Sequence, residues 1–191
     1  ALFKERFSRG VYRVDMSVAG AKPTLTIIEG NDSVVVNTPT SSLIPVKDND
    51  YVPFGNFSDL EKIVKSGMFY PAYISGPTGN GKSTMVEQIC AKHKKPLIRV
   101  NLNAMTDEEQ LIGSKTLKGG NVEIVEGPVL IAMRQGCTLL LDEIDAGSSN
   151  SLLCIQSILE GKPFYFKLSN EIVTPAPGFN IIATANTKGK G

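Results

Sequence analysis

The hydrophobic positions of the first 49 residues follow the pattern of short strands. Tyr12, Val14, Met16 and Val18 alternate with polar residues, and the apolar runs 25–28 and 34–36 stand on either side of a polar turn. Alternation of this kind, interrupted by turn residues, is typical of antiparallel strands. We therefore predict two or three short strands, followed by a linker over 37–49 that is rich in Pro, Ser and Thr.

From residue 50 onward, short apolar runs alternate with segments of helical periodicity. Val86, Ile89, Cys90 and His93 share one helical face, for example. The apolar runs predict strands over 72–74, 97–100, 138–141 and 180–183. Strands that alternate with helices indicate a three-layer α/β domain with a parallel sheet over 50–191, preceded by the β-rich region of 1–49.

Local signals predict the ends of the helices and two inserted hairpins. A capping-box pattern at Ser58–Glu61 and a second one at Thr106–Glu109 each predict the start of a helix. Two further helices are predicted, one from Pro128 to a Gly136 cap and one from Ser148 or Ser149 through Leu159. Turn residues within 115–125 and 164–173 predict the two hairpins.

One loop carries a specific chemical signature. Residues 76–83 read G-x-x-x-x-G-K-S between a predicted strand and a predicted helix, which is the Walker A context of a phosphate-binding loop. Its backbone N–H groups can surround a triphosphate, Lys82 can reach the β- and γ-phosphates, and Ser83 can place its hydroxyl on Mg²⁺. The predicted ATP-binding residues of this loop are Gly76, Pro77, Thr78, Gly79, Asn80, Gly81, Lys82, Ser83 and Thr84.

Two acids directly follow the most apolar predicted strand, as in a Walker B motif. Asp142 can hold Mg²⁺ through its water shell, and Glu143 can activate the water that attacks the γ-phosphate. Asn186, after the last strand, can hold that water from its other side. Because ligands bind beyond the carboxyl ends of parallel strands, these residues and the phosphate loop should meet at one sheet edge.

The two adjacent acids also separate classes of nucleotide-binding proteins. Recombination motors usually take their catalytic glutamate from another strand, and the signature of transporter ATPases is absent from the sequence. An AAA+ ATPase remains. In this layout the segment before the first helix often lies against the base, so Tyr51 and Val52 are candidate adenine contacts, with core packing as the alternative.

Composition limits the other possibilities. Twenty basic and nineteen acidic residues leave a formal charge of +1, which gives no electrostatic argument for nucleic acid. Three cysteines without C-x-x-C spacing are typical of free thiols, and no apolar run approaches the length of a membrane span. We therefore expect a cytoplasmic protein with ATP and Mg²⁺ as its cofactors.

Several segments together resemble the MoxR-type AAA+ ATPases, and within them the CobS subunit of aerobic cobaltochelatase, whose homologues also occur in phage genomes. The similar segments are 76–83, 98–102, 110–113, 142–147, 155–160 and 183–187.

The resemblance implies an ATP-driven homo-oligomer, generally a hexameric ring, with the two inserted hairpins. It also implies a von Willebrand A-domain partner and a larger target complex that the ring remodels. The arginine finger and the helical lid of such motors normally follow the sensor strand. We therefore expect them to lie beyond this chain, and we expect an isolated fragment to be deficient in cooperative hydrolysis.

Two other functions share every predicted pocket residue. One is a nucleic-acid motor such as a helicase or a packaging ATPase, against which the near-neutral charge counts. The other is a slow nucleotide-dependent switch, in which ATP sets only the oligomeric state.

Overall fold

A computed structural model describes residues 24–27, 34–37 and 40–186, with side chains from residue 42. Strands β1 (Thr24–Ile27) and β2 (Val34–Asn37) pair antiparallel, with Leu25 opposite Val36. The linker contains a 3₁₀ turn, Thr40–Leu43. The strand expected around 12–18 lies outside the described residues, so the division at residue 49 stays a prediction.

The remaining elements alternate between strand and helix, as predicted. In chain order they are α1 (Phe57–Ser66), β3 (Ala72–Ser75), α2 (Lys82–Lys92), β4 (Leu97–Asn101), α3 (Glu108–Ile112), β5 (Gly113–Lys118), β6 (Asn121–Glu126), α4 (Pro128–Gln135), β7 (Thr138–Asp142), α5 (Ser149–Cys154), α6 (Gln156–Leu159), β8 (Phe164–Phe166), β9 (Glu171–Val173) and β10 (Asn180–Ala185).

Four of these strands form one parallel sheet in the order β3-β10-β7-β4. The two inner strands are buried along their whole length, which explains why β7 reads as a continuous apolar run rather than an alternating one. The predicted α/β fold with a parallel sheet is confirmed. The carboxyl ends of all four strands lie at the same edge.

The core has two parts because successive side chains of a strand point to opposite faces of the sheet. Leu139 and Leu141 pack with α3, α4 and the residues around Ile155 on one face. Leu140 of the same strand packs with α1 and α2 on the other face, together with Ile182 of β10. Helices therefore cover both faces of the sheet.

The structure moves the N-caps of two predicted helices, by two residues in α1 and by one residue in α3. Helix α1 begins at Phe57, and no side chain caps its N-terminus, so the capping box at Ser58 is wrong. Asp107, rather than Thr106, caps α3 by accepting a hydrogen bond from the Gln110 N–H. Both are local choices between residues one or two positions apart, and the packing of Phe57 in the core favours the earlier start of α1.

The helix predicted from Ser148 through Leu159 is two short helices. Ser148 does cap α5, accepting from the Ser151 N–H at 3.1 Å, but the helix ends at Cys154 and α6 starts at Gln156. The fully buried Ile155 occupies the break between them. Both inserted hairpins form as predicted, β5–β6 around Gly119 and Gly120 and β8–β9 around Asn170.

Replacement of Gly136 by Ala should destabilise the fold strongly. Gly136 has a φ of +66°, and an added Cβ would lie 2.3 Å from the Pro177 carbonyl oxygen, so the substitution combines backbone strain with a clash against main chain. We expect a loss of about 3 kcal/mol in the free energy of unfolding.

Gly119→Ala is the matched control for this prediction. Gly119 has a φ of +60° but open space around the added Cβ, and it should lose only about 1 kcal/mol. Denaturant midpoints compare the two variants. Equal losses would show that the contact with Pro177 costs nothing.

A charge cluster links the first two helices, and it should make stability depend on pH. Glu61 of α1 accepts from Lys92 Nζ at 2.7 Å and lies 2.6 Å from His93 Nε2. These hydrogen bonds, that from Lys92 first, lower the pKa of Glu61 below its ordinary value of 4.5. A carboxylate with a lowered pKa stabilises the fold above its unfolded value and loses that contribution as the pH falls through the folded value.

We therefore expect wild type to be more stable than Glu61→Gln at neutral pH, with the difference shrinking as the pH falls below 4.5. Urea unfolding of both proteins, from neutral pH to below pH 4.5, measures the difference in their free energies of unfolding. A difference that does not vary with pH would contradict the assignment.

Candidate active site

The phosphate loop connects β3 to α2 at the carboxyl edge of the sheet. Its first residue is fixed to the neighbouring strand, because the Gly76 N–H donates to the Ala185 carbonyl oxygen at 3.3 Å. Gly81 has a φ of +74° and precedes the first turn of α2, so the loop turns sharply into the helix. No side chain caps the N-terminus of α2, and the N–H groups of its first turn are therefore available to bind an anion.

Lys82 is the charged residue of the loop, and it is buried, with 8% of its surface exposed. Its ammonium donates to the carbonyl oxygens of Gly76 and Pro77, both at 2.9 Å, and to Asn80 Oδ1 at 3.3 Å. It also donates to Asn186 Oδ1 at 3.1 Å. These acceptors hold the buried charge within the loop, at the position from which a phosphate oxygen would be bound.

Asp142 ends β7 and binds directly to the phosphate loop. Ser83 Oγ lies 2.8 and 2.9 Å from its two carboxylate oxygens, so the predicted magnesium ligands Ser83 and Asp142 are in contact. Thr184 of β10 donates to Oδ1, and Arg99 of β4 donates to Oδ2 at 2.5 Å. Burial raises the pKa of Asp142, but the hydrogen bonds from Thr184, Ser83 and Arg99 outweigh it, and the pKa lies below its ordinary value.

Glu143, the residue after Asp142, has a left-handed backbone conformation, with a φ of +56°. Few residues other than Gly adopt this conformation, and it is a feature of strained functional positions. The Glu143 N–H donates to Thr184 Oγ1 at 3.3 Å, and its Oε1 accepts from Asn186 Nδ2 at 3.2 Å. The two adjacent acids therefore have different partners: Asp142 contacts Ser83, and Glu143 contacts Asn186.

Asn186 connects two other predicted catalytic residues, Lys82 and Glu143, by hydrogen bonds. Its amide oxygen accepts from Lys82 and its amide nitrogen donates to Glu143, so one side chain spans the lysine and the glutamate. Its backbone N–H donates to Asp145 at 3.2 Å, which fixes the end of β10. The structure thus brings together Lys82, Ser83, Asp142, Glu143 and Asn186, as the strand order predicts.

The residues at this edge fit a magnesium ion. Mg²⁺ prefers oxygen ligands, keeps several water molecules and binds through one or two carboxylates. A serine hydroxyl and an aspartate carboxylate in contact are a donor set of this kind. Ser83 and Asp142 would hold the ion.

The two candidate adenine contacts have different environments. Tyr51 packs against the rings of Phe54 and Phe57, with centroids 6.3 and 6.0 Å away, and its hydroxyl is buried without a hydrogen-bond partner. Val52 is 74% exposed. The ring of Tyr51 therefore packs against other aromatic side chains. A contact of either residue with the adenine base stays a prediction.

A cavity of about 390 Å³ lies beside the phosphate loop, between α1 and β3. Phe54 and Tyr73 contribute its aromatic lining, and Asn80 and Lys82 border it on the loop side. Phe54 is also adjacent to Gly81, where an added Cβ would lie 3.2 Å from its ring.

Sequence reasoning missed Thr184 and Arg99. Thr184 lies inside a buried strand, where its hydroxyl gives no pattern different from that of a core residue. Arg99 interrupts the apolar run of β4, and a charge near the carboxyl end of a predicted sheet strand was the available signal. Both contact Asp142 across strands that are far apart in sequence.

A parallel sheet with a phosphate loop on one strand and two acids on another defines a P-loop nucleoside triphosphate-binding domain. The chain belongs to the AAA domain family, dynein-related subfamily, whose profile matches residues 72–191. This family is one of nucleotide-binding ATPase domains, and the matched range includes the loop, the acids and Asn186. Among the described residues, no helix is long and apolar enough to cross a membrane.

Proteins of known sequence and structure are similar to this chain. An uncharacterised protein of Staphylococcus haemolyticus is 37% identical over a 123-residue alignment, with coverage of 59% of this chain and 45% of that protein. An uncharacterised protein of Staphylococcus epidermidis is 36% identical over a 149-residue alignment, with coverage of 73% of this chain and 54% of that protein. The chain thus spans about half the length of these relatives.

A solved structure supports the fold. The crystal structure of a candidate ATPase from Cytophaga hutchinsonii superposes with a TM-score of 0.55 over 80% of this chain and 42% of that one, at 15% identity.

Proposed function

We propose that this protein is a magnesium-dependent ATPase and the motor domain of a MoxR-type, CobS-like remodelling ring. The observation that carries the proposal is the linkage of Lys82, Asn186 and Glu143 by two hydrogen bonds beside the contact of Ser83 with Asp142. This arrangement supplies a cation for phosphate, a carboxylate base and a metal-binding pair around one space. Hydrolysis of ATP to ADP and phosphate requires all three.

The residues divide the chemistry among them. Lys82 leaves its loop acceptors for the β- and γ-phosphate oxygens, where its charge stabilises the transition state. Glu143 accepts a proton from the attacking water, and Asn186 orients that water through its amide. Mg²⁺, when bound by Ser83 and Asp142, would neutralise charge on the β- and γ-phosphates.

Asn186 also gives the site a way to report its nucleotide state. In the structure its amide oxygen is bonded to Lys82, and engagement of Lys82 by phosphate would release that oxygen. The amide then keeps only its contact with Glu143 and its backbone bond to Asp145. Because Asn186 directly follows β10, a change at the phosphate would reach the strand that lies between β3 and β7 in the sheet.

The two hairpins support an action on protein. Each exposes an apolar cross-strand pair, Leu117 with Val122 in β5–β6 and Tyr165 with Ile172 in β8–β9, and all four side chains are more than half exposed. Paired side chains of this kind are available for apolar contact with another protein. A neighbouring subunit, a von Willebrand A-domain partner or the remodelled complex would bind there.

The solution mass of the full-length gene product tests the ring. Glu143→Gln should bind ATP without turnover, so light scattering with and without ATP and Mg²⁺ reads the nucleotide-bound state directly. We expect an ATP-dependent shift to about six subunits. A monomer under both conditions would favour the slow switch, and ATPase stimulation by DNA with steep salt dependence would favour a nucleic-acid motor.

A further inference from the structure

Arg99 has a contact that the proposed hydrolysis does not use. Its guanidinium lies on β4 and binds three side chains: Nη2 donates to Asp142 Oδ2 at 2.5 Å, Nη1 to Glu87 Oε1 at 2.9 Å and Nε to Asn101 Oδ1 at 3.0 Å. Asp142 is nearly enclosed, with 8% of its side chain exposed, whereas the Arg99 side chain is 42% exposed. An accessible cation thus covers the acid that would hold the metal.

The carboxylate of Asp142 has few acceptor sites left. Ser83 shares its hydroxyl between both oxygens, Thr184 binds Oδ1 and Arg99 binds Oδ2. A carboxylate has about four lone-pair sites, and a hydrated Mg²⁺ needs some of them for its water molecules. The three donors leave about one site free, so a hydrated ion that binds Asp142 through more than one site displaces one of them.

Arg99 is the donor that can leave at least cost. Thr184 is 1% exposed and also accepts from the Glu143 N–H, so its movement would disturb the strand end. Ser83 remains at the ion in the proposed site. Arg99 retains Glu87 and Asn101 when it releases Asp142, and its guanidinium is partly solvated, so no buried charge is left unpaired.

We propose that Arg99 is a positioning residue that occupies Asp142 in place of the metal and exchanges with Mg²⁺ when nucleotide binds. This inference rests on the proposed metal site. Arg99 orients the carboxylate through its hydrogen bond to Oδ2, and its positive charge opposes the entry of a divalent cation alone. The phosphates add the negative charge that shifts the exchange toward the metal, so metal and nucleotide bind cooperatively.

Manganese binding without nucleotide tests the exchange. Mn²⁺ is titrated into the full chain and into Arg99→Gln, with free Mn²⁺ measured by electron paramagnetic resonance. Removal of the competing cation should tighten Mn²⁺ binding on the order of tenfold. Addition of ADP should then improve Mn²⁺ affinity less in the variant than in wild type. Equal or weaker Mn²⁺ binding by Arg99→Gln would overturn the proposal.

A stability measurement covers the case in which both proteins bind Mn²⁺ weakly. In EDTA, Arg99→Gln should melt at a lower temperature than wild type because Asp142 has lost its counter-charge, and millimolar Mn²⁺ should restore the variant more than it raises wild type. Arg134→Gln is the matched control, since Arg134 also joins two carboxylates, Glu126 and Glu171, outside this site. It should lose stability without recovery in Mn²⁺.

The double variant Arg99→Gln, Asp142→Asn locates the effect. Recovery in Mn²⁺ should vanish, and recovery that persists would place the ion elsewhere and overturn the proposal. A separate titration of wild type with ATP and Mg²⁺ tests the proposed function. Failure of nucleotide binding there would remove that function, whereas the Mn²⁺ comparison, which needs no nucleotide, decides the role of Arg99.

Discussion

Glu143→Gln is expected to bind ATP with nearly unchanged affinity and to lose hydrolysis by about 10²- to 10⁴-fold in kcat. The substituted amide can still accept from Asn186 through its oxygen, so the site keeps its shape. It cannot accept the proton of the attacking water. The loss should therefore appear in turnover and not in binding, because the base acts on the water and not on the bound phosphates.

Phosphate release and calorimetric ATP titration measure the two quantities for Glu143→Gln. Glu109→Gln is the control, since Glu109 is an exposed acid of α3 outside the pocket. Its turnover should equal that of wild type. Turnover retained by Glu143→Gln would remove that residue as the base and leave Asp145, its near neighbour in sequence, as the acid to test.

Lys82→Ala is expected to weaken ATP binding by about 10- to 100-fold. A hydrogen bond to a charged group contributes about 1.5–3 kcal/mol, and each 1.4 kcal/mol is tenfold in affinity. Hydrolysis should also fall, because in the proposed function the same ammonium stabilises the transition state. The enclosed position of Lys82, with 8% of its surface exposed, means that no other lysine side chain replaces it easily.

Calorimetric titration with ATP and Mg²⁺ measures the change in affinity for Lys82→Ala. The control is Lys62→Ala, since the Lys62 side chain is 77% exposed and pairs with Asp59 on the surface. Circular dichroism checks that the variant folds, since Lys82 also satisfies the carbonyl oxygens of Gly76 and Pro77. Wild-type affinity in a folded Lys82→Ala protein would contradict a phosphate contact of this lysine.

Short-range spacing was enough to predict the loop and most of the sheet. The glycines, the lysine and the serine of residues 76–83 belong to one short loop, so their spacing in the sequence is enough to place them next to one another. The buried run of β7 predicted an inner strand for the same reason, since its surroundings exclude polar residues on both faces. The meeting of Asp142 with Ser83 followed from the rule that parallel strands end at one edge.

The exact ends of the helices could not be predicted from short-range spacing. Helix α1 begins at Phe57 because that ring packs in the core, although a better capping pattern starts at Ser58. The break at Ile155 likewise depends on a buried position between two helices. In both places the energy of tertiary packing exceeds the small preference of the local sequence.

The sequence by itself therefore determined the chemical class of the site: a phosphate loop, two acids and an asparagine on the strands of an α/β sheet. The tertiary structure alone decided how these groups are connected, with Asn186 between Lys82 and Glu143, and with Thr184 and Arg99 on Asp142. The physical reason is that hydrogen bonds between side chains on different strands depend on register and strand order. Those are fixed by the packing of the whole core and leave no periodic trace in the chain.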